Sequence, residues 1–205
     1  MASLPFRSNL IRAFVVMMAA FSLASCGINS IPTSEEAAKA KWADVQAAYQ
    51  RRANLVGNLV AVAQQAAKLE RGTLESVINA RASATQVRLD ADDLSDPAKV
   101  QAFQQAQTNM SGALGRLLVS VEQYPELKSQ ERFADLMTQL EGTENRINIT
   151  IQDYNKAVQD YNTRIRTFPD MIGAKLVYGA KPMVPFEAKA GAEDAPDVGA
   201  MFNGS

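Results

Sequence analysis

Few side chains in this sequence are equipped for covalent chemistry. Of 205 residues none is His and one is Cys, at position 26. The missing imidazole excludes every Ser-His-Asp or Cys-His mechanism and the commonest zinc sites. A lone thiol cannot close an internal disulfide. Asp90, Asp92, Asp93 and Asp96 cluster in sequence. A calcium loop also needs a Gly turn and a bidentate Glu, which this stretch lacks, so it reads as a solvated loop. Glu141 and Glu144 fall on one helix with no evident cleft, and no Gly-rich phosphate loop occurs. The expectation is a chain with no catalytic residues, no metal site and no cofactor, hence not an enzyme. With 21 Lys+Arg against 22 Asp+Glu, it also lacks the basic surface that nucleic-acid binding requires.

Polar chemistry of a non-catalytic kind is better represented. Arg52 and Glu144 occupy seam positions where apolar residues are expected. With the first long helix antiparallel to the last, and Leu69 placed near Lys128, the two fall at one level and predict a partly buried ion pair. Such a pair sets register more than it adds stability, because desolvation offsets most of the attraction; the other reading is a charged-ligand site. Tyr154-Asn155 and Tyr161-Asn162 echo each other seven residues apart. This stripe either presents hydrogen-bonding groups to a peptide or sugar, or consists of core tyrosines whose hydroxyls reach the rim. Trp42, near the start, is read as core, with a place at lipid headgroups as the alternative.

The thiol has its own context. Arg7 and Arg12 precede an apolar run of 11 residues, Ala13–Leu23, followed by Ala24, Ser25 and Cys26. About 11 residues at 1.5 Å each cover ~17 Å, half a bilayer core, which suits a signal-peptide segment and not a spanning helix. Leu23-Ala24-Ser25-Cys26 resembles a bacterial lipobox. That resemblance implies cleavage between Ser25 and Cys26, a diacylglycerol thioether on Cys26 and acylation (palmitate-type) of the new N-terminus. Three chains make a stable anchor where one binds only marginally. Gly27, in place of the Asp that marks inner-membrane retention, implies the periplasmic face of the outer membrane in a Gram-negative cell, with the inner membrane as the alternative.

The remaining chain must supply the scaffold, and its pattern is helical. After a tether spanning 26–34, Ser34 with Glu35-Glu36 reads as a helix start. Trp42, Val45, Tyr49, Arg52, Val56, Leu59, Ala63 and Ala66 then step alternately by three and four residues, with an end expected near Arg71-Gly72. Thr73 is the expected cap of a helix from Leu74 to Asp92. Asp96-Pro97 opens a third helix, broken at Tyr124-Pro125. The last helix carries the seam from Phe133 to Phe168. A 3.5-residue repeat keeps one stripe facing a partner. The expected fold is therefore all-α: an elongated antiparallel up-down bundle of four helices, long first and last, at roughly 54–60 Å. A simple long coiled coil is the alternative. Residues 35–168 form the bundle, 169–188 an extended segment packed on it, with Leu176-Val177-Tyr178 and Met183-Val184-Pro185-Phe186 as its apolar stretches. Residues 189–205 read as a disordered tail.

A set of short segments resembles the LemA family of bacterial envelope proteins. They are Arg51-Arg52 with Asn54-Leu55-Val56 and Asn58-Leu59-Val60, Ala80-Arg81, Tyr124-Pro125-Glu126-Leu127-Lys128 and Thr143-Glu144-Asn145-Arg146-Ile147. Tyr154-Asn155, Tyr161-Asn162, Phe168-Pro169 and Phe186-Glu187-Ala188 complete the set. The resemblance spans about residues 42–188 and implies a membrane-anchored antiparallel helical bundle without an established activity. Gly57 stands where relatives commonly carry Pro, which predicts a local bend. The family's usual His near Ala53 is missing. Taken together, the expectation is a lipid-anchored envelope scaffold that contacts another envelope protein; the alternative is a sensing module holding a small molecule or peptide between helices.

Overall fold

The computed structural model describes residues 29–65 and 71–187, with positions 12 and 14. Leu23 to Cys26, where cleavage and acylation are expected, and the tail 189–205 lie outside the described residues. Among those described the protein is all-α. Helix α1 runs Ser30–Ala63, α2 Arg71–Gln86, α3 Pro97–Val121, α4 Pro125–Lys128, α5 Glu131–Arg164 and α6 Asp170–Gly173. A 3₁₀ turn at Ala91–Ser95 precedes α3, and a π turn at Ala174–Tyr178 continues α6.

Polar contacts fix the helix directions. Lys41 meets Asp153 and Arg52 meets Glu144, so α1 and α5 are antiparallel along their lengths. Gln107 reaches the Ala84 carbonyl and Arg116 the Ser76 hydroxyl, which makes α2 and α3 antiparallel as well. The two short helices thus pack as a pair, with α2 also lying against α1.

Several boundaries differ from the sequence reading, each for a local reason. Helix α1 starts at Ser30, not after Ser34. The Ser34 hydroxyl donates to the Ile31 carbonyl (2.9 Å) inside the first turn and caps nothing. Residues 30–34 are therefore helix and not tether, with Ile31 buried. Arg71 and Gly72 open α2 instead of ending α1, ahead of the expected cap Thr73. That helix stops at Gln86, and buried Leu89 and Leu94 draw the following stretch into the core. Helix α5 ends at Arg164, leaving Phe168 exposed. Leu176-Val177-Tyr178 is helical and exposed, not extended; the extended part is confined to 181–187. The start of α3 is as read: Asp96 accepts from the amides of Ala98 (3.0 Å) and Lys99 (3.4 Å), with Pro97 in the first turn.

Two apolar cores fill the bundle. One, around Leu59, Leu117, Leu127 and Phe133, lies toward the C-terminal end of α1 and the connection from α3 to α5. The other is aromatic and lies toward Ser30, combining Trp42, Phe103, Tyr154, Tyr161 and Phe186. Trp42 is its centre, with ring centroids 5.4 Å from Phe103, 5.6 Å from Tyr154 and 5.5 Å from Phe186. Its indole N–H donates to the Leu89 carbonyl at 2.9 Å, which answers the one polar atom of a fully buried ring.

Candidate functional site

Between the two cores lies a polar layer built on Arg52, which is 3% exposed. Its Nη1 donates to Glu144 Oε1 (3.1 Å) and to the Ser111 hydroxyl (2.9 Å). Its Nη2 donates to Gln107 Oε1 (2.7 Å) and the Gln107 carbonyl (3.2 Å). The guanidinium also lies over the Tyr49 ring, 4.9 Å from the centroid. Gln107 passes the network on to the Ala84 carbonyl, and so ties α2 to α3 at the same level. Arg81 Nε donates to the Ala53 carbonyl at 2.6 Å, with its guanidinium lying over Gly57. A Cβ at Gly57 would sit 3.1 Å from that nitrogen, so the missing side chain is what admits Arg81.

Glu144 is the exposed member of the pair. It borders an open groove of about 800 Å³ between α3 and α5, lined by Gln101, Gln104, Gln107, Ser111 and Asn148 among others. Two buried donors beside this groove, Arg52 Nε and Gln104 Nε2, have no acceptor among the described residues. The groove is therefore rich in side-chain amides, with two unpaired donors beside it.

The stripe on α5 holds a peptide, and that peptide is the chain's own. Asn155 donates to the Phe186 carbonyl (2.9 Å) and accepts from the Phe186 amide (2.8 Å). Asn162 does the same with the Met183 carbonyl (2.8 Å) and amide (2.9 Å). The Tyr154 and Tyr161 hydroxyls donate to the carbonyls of Val184 (3.0 Å) and Lys181 (3.1 Å). The spacing follows from geometry. Seven helical residues rise ~10.5 Å, and three extended residues span ~10 Å, so a heptad of Asn clamps every third residue of an adjacent strand. The heptad echo and an extended segment packed on the bundle were both legible in the sequence; that the segment lies on this stripe was not, because no local signal reports where it docks. Replacing Asn155 and Asn162 together by Ala strips both clamped residues of their partners. The expected loss is about 1–3 kcal/mol per site, with faster amide exchange at Met183 and Phe186 read by mass spectrometry.

Burial raises the pKa of Tyr154, Tyr161 and Tyr49 above the ordinary phenol value; nearby Glu35 and Glu144 add to the rise at Tyr161 and Tyr49 respectively, while Arg52 opposes it at Tyr49. A raised folded-state value means stability that is present below about pH 10 and lost as pH climbs through the folded values. Urea midpoints should accordingly fall above pH 10, and Tyr154→Phe should flatten that fall.

The acidic cluster has structural work. Asp96 caps α3, Asp93 pairs with Lys99, which holds its carboxyl below the usual range, and Asp92 lies 3.8 Å from Lys39. No group of three or more His, Cys, Asp or Glu among the described residues is placed to hold a metal. Trp42 is core, 1% exposed. No described helix is long and apolar enough to cross a membrane.

These features define a helical bundle with a buried arginine layer and an asparagine ladder that clamps an extended segment. The LemA family profile matches residues 41–199, and the chain belongs to the LemA family. It is similar to magnetosome protein MamQ 2 of Paramagnetospirillum magneticum and to magnetosome protein MamQ of Magnetospirillum gryphiswaldense. Each is 29% identical over 157 residues, covering 69% of this chain and 58% of the relative. The chain thus spans little more than half the length of the curated relatives it matches.

Proposed function

We propose that this chain is a lipoprotein of the bacterial envelope, held to a membrane by acyl groups on Cys26 and acting as a non-enzymatic scaffold for another envelope protein. One observation carries the reading: a rigid 34-residue helix begins at Ser30, four residues after the lipobox-like Leu23-Ala24-Ser25-Cys26. A lipid at Cys26 would fix one end of the bundle at the bilayer and leave the faces of α1 and α5 open to a partner. Gly27 favours the periplasmic face of the outer membrane in a Gram-negative cell. Intact mass should show the lipid adduct on Cys26, and Cys26→Ser should abolish it and alter the set of proteins crosslinked in cells. An unmodified thiol with an unchanged crosslinking pattern overturns the proposal.

A second reading, a module that holds a peptide between helices, is favoured by Asn148. This residue stands one heptad above Asn155 and borders the groove with its side chain exposed. It extends the asparagine repeat by one heptad, beside two donors without acceptors among the described residues. A fluorescein-labelled alanine-rich peptide that binds saturably, and no longer binds Asn148→Ala, would favour this module.

A further inference from the structure

Large apolar side chains are exposed singly over most of the described bundle: Ile78 on α2, Val119 on α3 and Ile149 on α5. One short stretch departs from this. Between the end of α5 and Gly179, Phe168 is 77% exposed, Ile172 51%, Leu176 81%, Val177 62% and Tyr178 43%. Concentrated exposure of this kind marks an interaction surface, whereas scattered apolar residues need no explanation.

The stretch is held firmly from behind. Gly173 and Ala174 are buried, Ala174 within the aromatic core, and the Ala180 amide closes the turn on the Ala174 carbonyl at 2.9 Å. Gly179, at φ +57°, makes the left-handed exit that ends it. Its large side chains are thus presented outward by a packed base.

Its position identifies what covers it. The Ser30 hydroxyl donates to Asp170 Oδ2 at 2.7 Å, which pins the patch beside the first turn of α1. Cys26 lies four residues earlier, so at most ~14 Å of chain separates it from Ser30. Exposed cations flank the apolar group: Arg164, Arg166, Lys175 and Lys181. The acids nearby are occupied, Asp170 by Ser30 and Arg164, and Glu35 by Lys39.

We infer that Phe168, Ile172, Leu176, Val177 and Tyr178 form a membrane-contact patch that enters the headgroup–acyl boundary of an anionic bilayer, on the same leaflet as the N-terminal anchor. The inference rests on the anchored reading above and adds to it an orientation. Apolar side chains ringed by Lys and Arg are the composition of interfacial segments, where acyl contact and attraction to anionic headgroups act together. The lipid alone would leave the tilt of the bundle unset; a second contact on the same end stands it at a fixed angle to the surface.

The test uses the full chain, processed by the cell, in vesicles of phosphatidylethanolamine and phosphatidylglycerol. Leu176→Cys and Val119→Cys are spin-labelled separately. The label at 176 is expected to be shielded from a water-soluble relaxant and exposed to oxygen, and the label at 119 the reverse. In vesicles of phosphatidylcholine the shielding at 176 should weaken. Leu176→Ser with Val177→Ser should lower vesicle partitioning of unlipidated Cys26→Ser chain about tenfold or more, since two apolar side chains leave the boundary. Equal aqueous exposure at 176 and 119 in a chain that floats with vesicles overturns the patch while the anchor stands. A shielded 176 label in a chain whose mass shows no lipid on Cys26 overturns the anchor while the patch stands.

Discussion

Glu144→Ala should lower the unfolding free energy by about 3 kcal/mol, because it removes the carboxylate that pairs with a buried guanidinium. Arg52 is 3% exposed, and Glu144 supplies both carboxylate contacts to Nη1, at 3.1 and 3.4 Å. The lower end of the usual range for a broken buried pair applies, since the Glu144 side chain is 41% exposed and water can take part of its place. Arg52→Ala should cost as much, leaving Gln107 and Ser111 without their donor. Arg52→Met combined with Glu144→Leu should fall well short of the two losses added together, since no charge then remains unpaired. Urea unfolding followed by circular dichroism measures all of these variants; strict additivity would show that the two charges act independently.

Trp42→Ala carries the other large effect. The ring is 1% exposed and touches Phe103, Tyr154 and Phe186, so its removal opens a cavity at the meeting point of α1, α3, α5 and the C-terminal strand. The expected cost is about 3–5 kcal/mol, equivalent to a fall of roughly 10 °C or more in Tm. Trp42→Phe should cost far less. It keeps most of the aromatic contact, and Gln46 still donates to the Leu89 carbonyl at 3.0 Å. A calorimetric scan separates the two variants, and equal losses would mean that the indole hydrogen bond outweighs the packing.

The contrast between what the sequence revealed and what it hid has a physical basis. Helix class follows from seam spacing, which is set by 3.6-residue geometry within one segment, and the antiparallel pairing of α1 with α5 from the short breaks between successive helices. The meeting of Arg52 with Glu144 follows from the same register. Gln107 and Ser111 were not legible as its other partners, because Arg52 reaches them on a third helix whose offset no local signal reports. Boundaries failed where tertiary burial overrode capping: Ile31 drew five extra residues into α1, and Leu89 with Leu94 ended α2 early. The asparagine ladder was seen as a repeat, yet its occupant depended on where a strand with no periodicity of its own would lie. The exposed apolar end was likewise invisible, since the composition of Leu176-Val177-Tyr178 reads equally well as packed.

The separation of the two cores bears on the order in which the molecule is assembled. The core near the helical turns draws on residues from Leu55 to Leu140, and neither terminus is needed to build it. The aromatic core joins Ile31 and Trp42 to Met183 and Phe186, nearly opposite ends of the described chain. Closing such long loops is slow compared with joining neighbours in sequence. As the polypeptide emerges N-terminus first, the far half can condense while the near half waits for its last strand. Completion of the fold thereby reports that synthesis has passed Phe186.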